Sequence, residues 1–150
     1  MESWELTLHE SVRQTLADYT AATDAFDLAL LASCFIADGT LEYTSGAKPL
    51  VGRVQIEAGL RAQLSGLGSG PTPTYVRHHV SSVRISQVEL DRVESSSYFI
   101  VFTDVGCDHW GRYRDVLVPV DGKCLFASRK IKVDGFSDKS LMNPESSNAR

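Results

Sequence analysis

The sequence predicts a single α+β domain, with N-terminal helices packed on one face of a curved antiparallel sheet that encloses one pocket. Three observations carry this reading. Apolar residues recur at helical spacing as far as Leu64, long strand-like runs follow from Tyr75, and a Gly- and Pro-rich segment separates the two patterns. Neither half has the means to close a core alone, so that junction is not a domain boundary.

The first helix is expected over residues 6–22, where Leu8, Val12, Leu16 and Tyr19 follow one another by four or three. Thr7 with Glu10 forms a potential capping box at its start. A second helix is expected from Asp24 as N-cap, burying Phe26, Leu30 and Cys34, with the junction near Thr23. Thr40 to Thr44 reads as a short strand, followed by a turn through Ser45 and Gly46. A third helix begins after Gly52, with Ile56, Leu60 and Leu64 on one face, and ends in the GLGSGPTPT loop at 66–74.

Four long strands follow at about 75–89, 93–105, 109–120 and 123–134, and Asp121-Gly122 between apolar runs is a strong hairpin signal. Strands of this length must twist and curl, so the sheet wraps the helices and leaves a cavity at its open end. Residues 1–136 are expected to form the domain. Residues 137–150, polar beyond Phe136, are expected to be a flexible tail.

The chain has 150 residues, enough for a real core, with 43% hydrophobic and 23% charged residues. A net charge of -4 without a basic stripe argues against nucleic-acid binding through phosphates. No apolar stretch is long enough to span a bilayer, and MESWELTLHE has no signal-peptide pattern, so no membrane partner is expected. Cys34, Cys107 and Cys124 are odd in number and lack C-x-x-C spacing; a reducing compartment, the cytoplasm, is expected. The histidines show neither H-x-x-x-H nor H-x-E spacing, so neither a metal nor another cofactor is expected.

The segments YTAATDAFDLALLASCFIADGTLEY (19–43), RHHVSSVRI (77–85) and GRYRDVLVPVDGKCLFASRKIKVDG (111–135) resemble successive signatures of SnoaL-like proteins. These belong to the nuclear-transport-factor-2-like superfamily, and the resemblance spans about residues 10 to 135. It implies a cone-shaped curved sheet around the helices. It also implies kinship with scytalone dehydratase, bile-acid 7α-dehydratase, polyketide cyclases and dioxygenase small subunits. Such a fold predicts a pocket better than a reaction.

Within this resemblance, Tyr19 and Asp24 match the Tyr and Asp spacing of the bile-acid dehydratase, and Asp24 is implied to pair with a histidine; capping a helix is the competing role. Adjacent strand residues face opposite ways, so only one of His78 and His79 enters the pocket. Parity does not decide, since His79 goes with Val83 and Ile85 and His78 with Val76 and Val80. The resemblance selects His79. Tyr43 matches approximately a pocket tyrosine suited to donate to an oxygen that gains charge. His109 and Tyr113 share one strand face with Gly111, Asp115 and Leu117. The dehydratases' second pocket histidine aligns one position away, at Trp110. Lys132 falls where the bile-acid enzyme has a substrate-facing arginine, while Arg129 is the more familiar basic residue of the family, and the choice stays open.

A histidine held by a carboxylate accepts and returns a proton near neutrality without a cofactor. Asp24, His79 and Tyr43 are therefore the candidate catalytic residues, and Tyr19, His109, Tyr113, Arg129 and Lys132 the candidate substrate contacts. The expected function is a cofactor-independent lyase or isomerase, a dehydratase or cyclase including epoxide opening or rearrangement. Its substrate would be a small hydrophobic natural-product intermediate such as a polyketide or terpenoid. The alternative is a non-catalytic dioxygenase small subunit or ligand-binding dimer module. A homodimer is expected through the outer sheet face, with Val76 and Val80 beside His78 as its apolar residues.

Overall fold

In a computed structural model of the chain, residues 1–65 and 71–144 are described. They form α1 (Ser3–Asp24), α2 (Leu28–Ser33), β1 (Phe35–Tyr43), β2 (Leu50–Val51), α3 (Arg53–Ser65), β3 (Arg77–Glu89), β4 (Arg92–Thr103), β5 (Gly106–Val120) and β6 (Lys123–Phe136). Part of the predicted 66–74 loop, residues 66–70, lies outside the described residues. Among the described residues no helix is long and apolar enough to cross a membrane.

Helix α1 starts earlier than its apolar period suggested. Glu2 N–H donates to the Glu5 carboxylate (2.6 Å), and Thr7 bonds back to the Ser3 carbonyl inside the helix instead of capping it. The larger correction concerns Asp24. It is the last residue of α1, and α2 is capped by Asp27, whose carboxylate accepts Leu30 N–H (3.0 Å). Phe26 breaks the helix with φ 56°, a left-handed conformation costly for a bulky side chain. This shift changes which residues α2 buries: Leu28, Leu31 and Ala32 face inward, whereas Phe26 and Leu30 are largely exposed.

The sheet order among the described residues is β2-β1-β6-β5-β4-β3. It is mixed: β3 to β6 form an antiparallel meander, but β1 runs parallel to β6. Gly39 in β1 comes so close to β6 that an added Cβ would lie 2.8 Å from the Phe126 carbonyl oxygen. The Asp121-Gly122 hairpin closes with φ 49° and 80°, as a type I′ turn requires.

Register shifts interrupt nearly every strand pair, at Ser81/Arg84, Val101/Phe102, Trp110/Gly111 and Val116/Leu117 among others. Each bulge bends its strand and increases local twist, so the sheet curls around α1. Helix α1 is moored to β6: the Thr15 hydroxyl donates to the Cys124 carbonyl, and Cys124 N–H donates to Ser11 Oγ (2.7 Å). Val12, Leu16, Tyr19, Phe35, Leu41, Phe126 and Leu117 fill the space between. Each such buried side chain contributes roughly 1.5–3 kcal/mol relative to exposure.

The outer face differs from expectation in its residues. Val76 is buried and Val80 packs against the core, so neither belongs to that face; Tyr98, Ile100 and Trp110 are the large apolar side chains it exposes. Beyond Phe136 the described residues run as turns and bends. As far as Pro144 they follow the sheet, with Ser140 buried against β5; 145–150 lie outside the described residues.

Candidate active site

The curled sheet encloses an inner cavity of about 130 Å³, which shares Tyr43, Leu64, His109 and Ile131 with a wider outer mouth of about 770 Å³. The walls of the inner cavity come from every layer: Tyr19 and Thr23 of α1, Leu60 and Leu64 of α3, His78 of β3, Phe99 of β4, His109 and Tyr113 of β5, and Ile131 of β6. Among the described residues no Asp, Glu, Lys or Arg side chain lines it.

His78 is the histidine that enters the cavity. Its Nδ1 lies 2.7 Å from Asp24 Oδ1, and its backbone N–H donates to the same carboxylate at 3.1 and 3.2 Å. Both side chains are largely shielded from solvent. The carboxylate, an acceptor only, holds the proton on Nδ1 and leaves Nε2 as the free nitrogen. His79 is corrected to the outer face: it is exposed, with its ring 5.1 Å from that of Phe102. The cause is the bulge at Ser82, φ 52°, which switches strand parity. Val76, His78 and Val80 point inward before it, and Val83 and Ile85 point inward after it.

A second histidine–carboxylate pair completes the upper wall. His109 Nδ1 sits 2.8 Å from Oδ1 of Asp108, a residue with no exposed surface. Burial holds the His109 imidazole below its ordinary pKa, against the opposing pull of Asp108. Burial alone would raise the Asp108 carboxyl, but bonds from Ser140, His109, Leu141 and Thr103 outweigh it and leave the pKa lowered. Phe99 stands between the histidines, its ring 6.5 Å from that of His78 and 6.2 Å from that of His109, and stacks on Tyr113 at 4.6 Å. Gly111 makes this possible: a Cβ there would meet Phe99 Cζ at 2.7 Å and the Lys132 carbonyl oxygen at 2.1 Å.

Tyr19, Tyr43 and Tyr113 all line the cavity. Burial pushes each phenol above its usual range, partly offset at Tyr19 and Tyr113 by the Arg129 guanidinium. All three therefore stay protonated as hydrogen-bond donors near neutrality.

The two basic candidates part company. Arg129 has no exposed surface and does not line the cavity; its Nε and Nη2 bind Asp115 at 2.8 and 2.9 Å. Its guanidinium stacks on Tyr113 (3.8 Å), Tyr19 and Phe126 (4.3 Å each). The Arg129–Asp115 ion pair thus lies beneath the pocket floor, behind Tyr19 and Tyr113. Lys132 is exposed and reaches only the outer mouth, beside Val133, Phe136 and Met142. Sequence reasoning missed His78 as the partner of Asp24, Phe99 as the divider, and Asp108. The visible signal for Asp108 was an acidic residue directly before a histidine of inward parity.

An α+β cone closed over an uncharged pocket with two carboxylate-held histidines defines a class of small-molecule pocket proteins. The chain matches the SnoaL-like domain over residues 4–130 and belongs to that family. It is similar to a Catenulispora acidiphila protein solved in complex with S-DNPA, at 30% identity over 85% of this chain and 93% of that one, with TM-score 0.72. ActVI-ORFA from Streptomyces coelicolor is 25% identical over 85% of this chain and 97% of its own, with TM-score 0.72. Aln2 from another Streptomyces species is 26% identical over 85% of this chain and 91% of its own, with TM-score 0.71. No curated protein matches the chain.

Proposed function

We propose that the protein is a cofactor-independent acid–base lyase or isomerase of the dehydratase or cyclase type, acting on a small polyketide-like intermediate. The observation that carries this is the His78–Asp24 pair, 2.7 Å apart, opening into a cavity whose other wall presents three protonated tyrosines. His78 Nε2 takes a proton from carbon next to a carbonyl. Asp24 stabilises the imidazolium that results. Tyr43, helped by Tyr19 or Tyr113, donates to the oxygen on which charge develops. His109 stands on the far side of Phe99 with Nε2 unprotonated, able to take the proton of an attacking hydroxyl, while the His78 imidazolium returns its proton to a departing oxygen. Imidazoles and phenols supply every proton in this scheme.

The absence of a charged group in the described lining favours an uncharged substrate, because a buried carboxylate or phosphate would find no counter-ion. The S-DNPA complex of the Catenulispora relative supports a small-molecule occupant of the cavity.

The test starts from the compound that accumulates when the gene is deleted. The purified, chelator-dialysed protein is incubated with it in D2O. Conversion with deuterium exchange at the carbon next to the carbonyl is expected. Conversion that requires an added metal or nicotinamide would refute the reading.

A further inference from the structure

We infer that Asp108 is a positioning residue, which fixes His109 with Nε2 toward the cavity and ties the segment 137–142 at the pocket mouth to that same histidine. It rests on the acid–base reading of the pocket for its catalytic meaning, but its geometry stands apart from it. Both carboxylate oxygens are saturated. Oδ1 accepts from the Ser140 hydroxyl (2.6 Å) and His109 Nδ1 (2.8 Å); Oδ2 accepts from Leu141 N–H (2.8 Å) and the Thr103 hydroxyl (3.0 Å). The Asp108 carbonyl also accepts Ser137 N–H (2.8 Å). The stretch from Ser137 to Leu141 is thus tied to Asp108 through both its side chain and its carbonyl.

The position of that stretch gives the arrangement its consequence. Met142 lines the inner cavity, and Met142, Asn143 and Pro144 border its outer mouth together with His109 and Phe136. The ring of His109 packs on that of Phe136, 5.4 Å away. Ser140 and His109 share one carboxylate oxygen, so the two bonds compete for the same charge. Loosening the segment frees Oδ1 to bind an imidazolium more strongly and admits water to the ring; both effects raise the affinity of His109 for a proton. The titratable groups facing His109 are Asp108 on its own strand, His78 from β3, Tyr113 from β5 and Tyr43 from β1, with Lys132 of β6 at the mouth. Among these Asp108 makes the direct bond.

The experiment is a 15N NMR titration of the imidazoles, which needs no substrate. The wild-type protein is expected to show His109 as the Nδ1–H tautomer with a pKa below that of a free histidine. Asp108→Asn replaces acceptor by donor at Oδ1 and should switch His109 to the Nε2–H tautomer. Ser140→Ala keeps the His109–Asp108 bond, so it should keep the tautomer, raise the His109 pKa by a few tenths of a unit, and broaden the Met142 methyl signal. If Asp108→Asn does not fold, Ser140→Ala still decides. An unchanged His109 pKa and Met142 signal in Ser140→Ala would overturn the link, as would an Nε2–H tautomer in the wild type. Once a substrate is known, Ser140→Ala should raise KM with kcat nearly kept, and Asp108→Asn should lower kcat about 10-fold or more and displace the pH profile. A wild type inactive on every compound tried, with the NMR results as stated, refutes the acid–base reading and leaves the positioning role standing.

Discussion

Replacing Arg129 by Met should destabilise the protein by about 3–5 kcal/mol, the usual cost of removing one partner from a buried ion pair. The structure places this case at the upper end. Asp115 and Arg129 are both inaccessible to solvent, their bond is bidentate at 2.8 and 2.9 Å, and three aromatic rings lie within 4.3 Å of the guanidinium carbon. Without Arg129 the Asp115 carboxylate is left without its counter-charge, and the Tyr19–Tyr113 floor loses the group that both rings rest on. Asp115→Leu with Arg129→Met removes both charges together and should recover most of the loss, since an apolar replacement of such a pair is often neutral. The expected coupling is at least about 2 kcal/mol. Urea unfolding followed by circular dichroism at pH 7, extrapolated linearly to zero denaturant, measures all four corners of the cycle. A loss below about 1 kcal/mol in Arg129→Met, or additive single and double effects, would refute the reasoning.

Gly111→Ala forces a Cβ to within 2.1 Å of the Lys132 carbonyl oxygen, which a backbone ladder cannot relieve; a loss of about 3 kcal/mol, or roughly 6–12 °C in Tm, is expected, and an unshifted Tm would contradict it. Burial holds the His109 pKa below its unfolded value, so as pH falls through about 6.5 the unfolded chain takes up a proton that the folded one refuses, and stability declines. Tm measured from pH 8 to 5 should fall in the wild type and fall less in His109→Gln; parallel curves would speak against it. Tyr98, Ile100 and Trp110 on the outer face are expected to bury in a homodimer. Sedimentation should give twice the chain mass and Trp110→Glu a monomer, whereas a monomeric wild type would end that proposal.

The sequence displayed the architecture well because periodicity and turn chemistry act locally. Ile56, Leu60 and Leu64 announced α3, Asp121-Gly122 announced the last hairpin, and the shared parity of His109 and Tyr113 announced their common face. What stayed hidden depends on bulges. His78 and His79 each had apolar neighbours of matching parity, since the extra residue at Ser81–Ser82 turns both sets inward; no local pattern reveals where such a residue falls. The shift at Val101/Phe102 likewise accompanies burial of both Asp108 and His109, adjacent residues that an even strand would send to opposite faces. Asp24 meets His78 and not the expected His79, and it sits at the end of α1, because the chain breaks at Phe26 and Asp27 takes the capping role.

The most direct test of the account compares His78→Ala with His79→Ala in the gene-deletion background. Both variants are first checked for folding, and turnover of the accumulating compound is then measured with each purified protein. His78 makes the bond to Asp24 inside the cavity, and His79 lies outside it against Phe102. His78→Ala should therefore lose roughly 10²–10⁴-fold in turnover, the usual size of an acid–base contribution, while His79→Ala stays close to wild type. A folded His78→Ala protein with full turnover, or an equal loss in His79→Ala, would contradict the central claim.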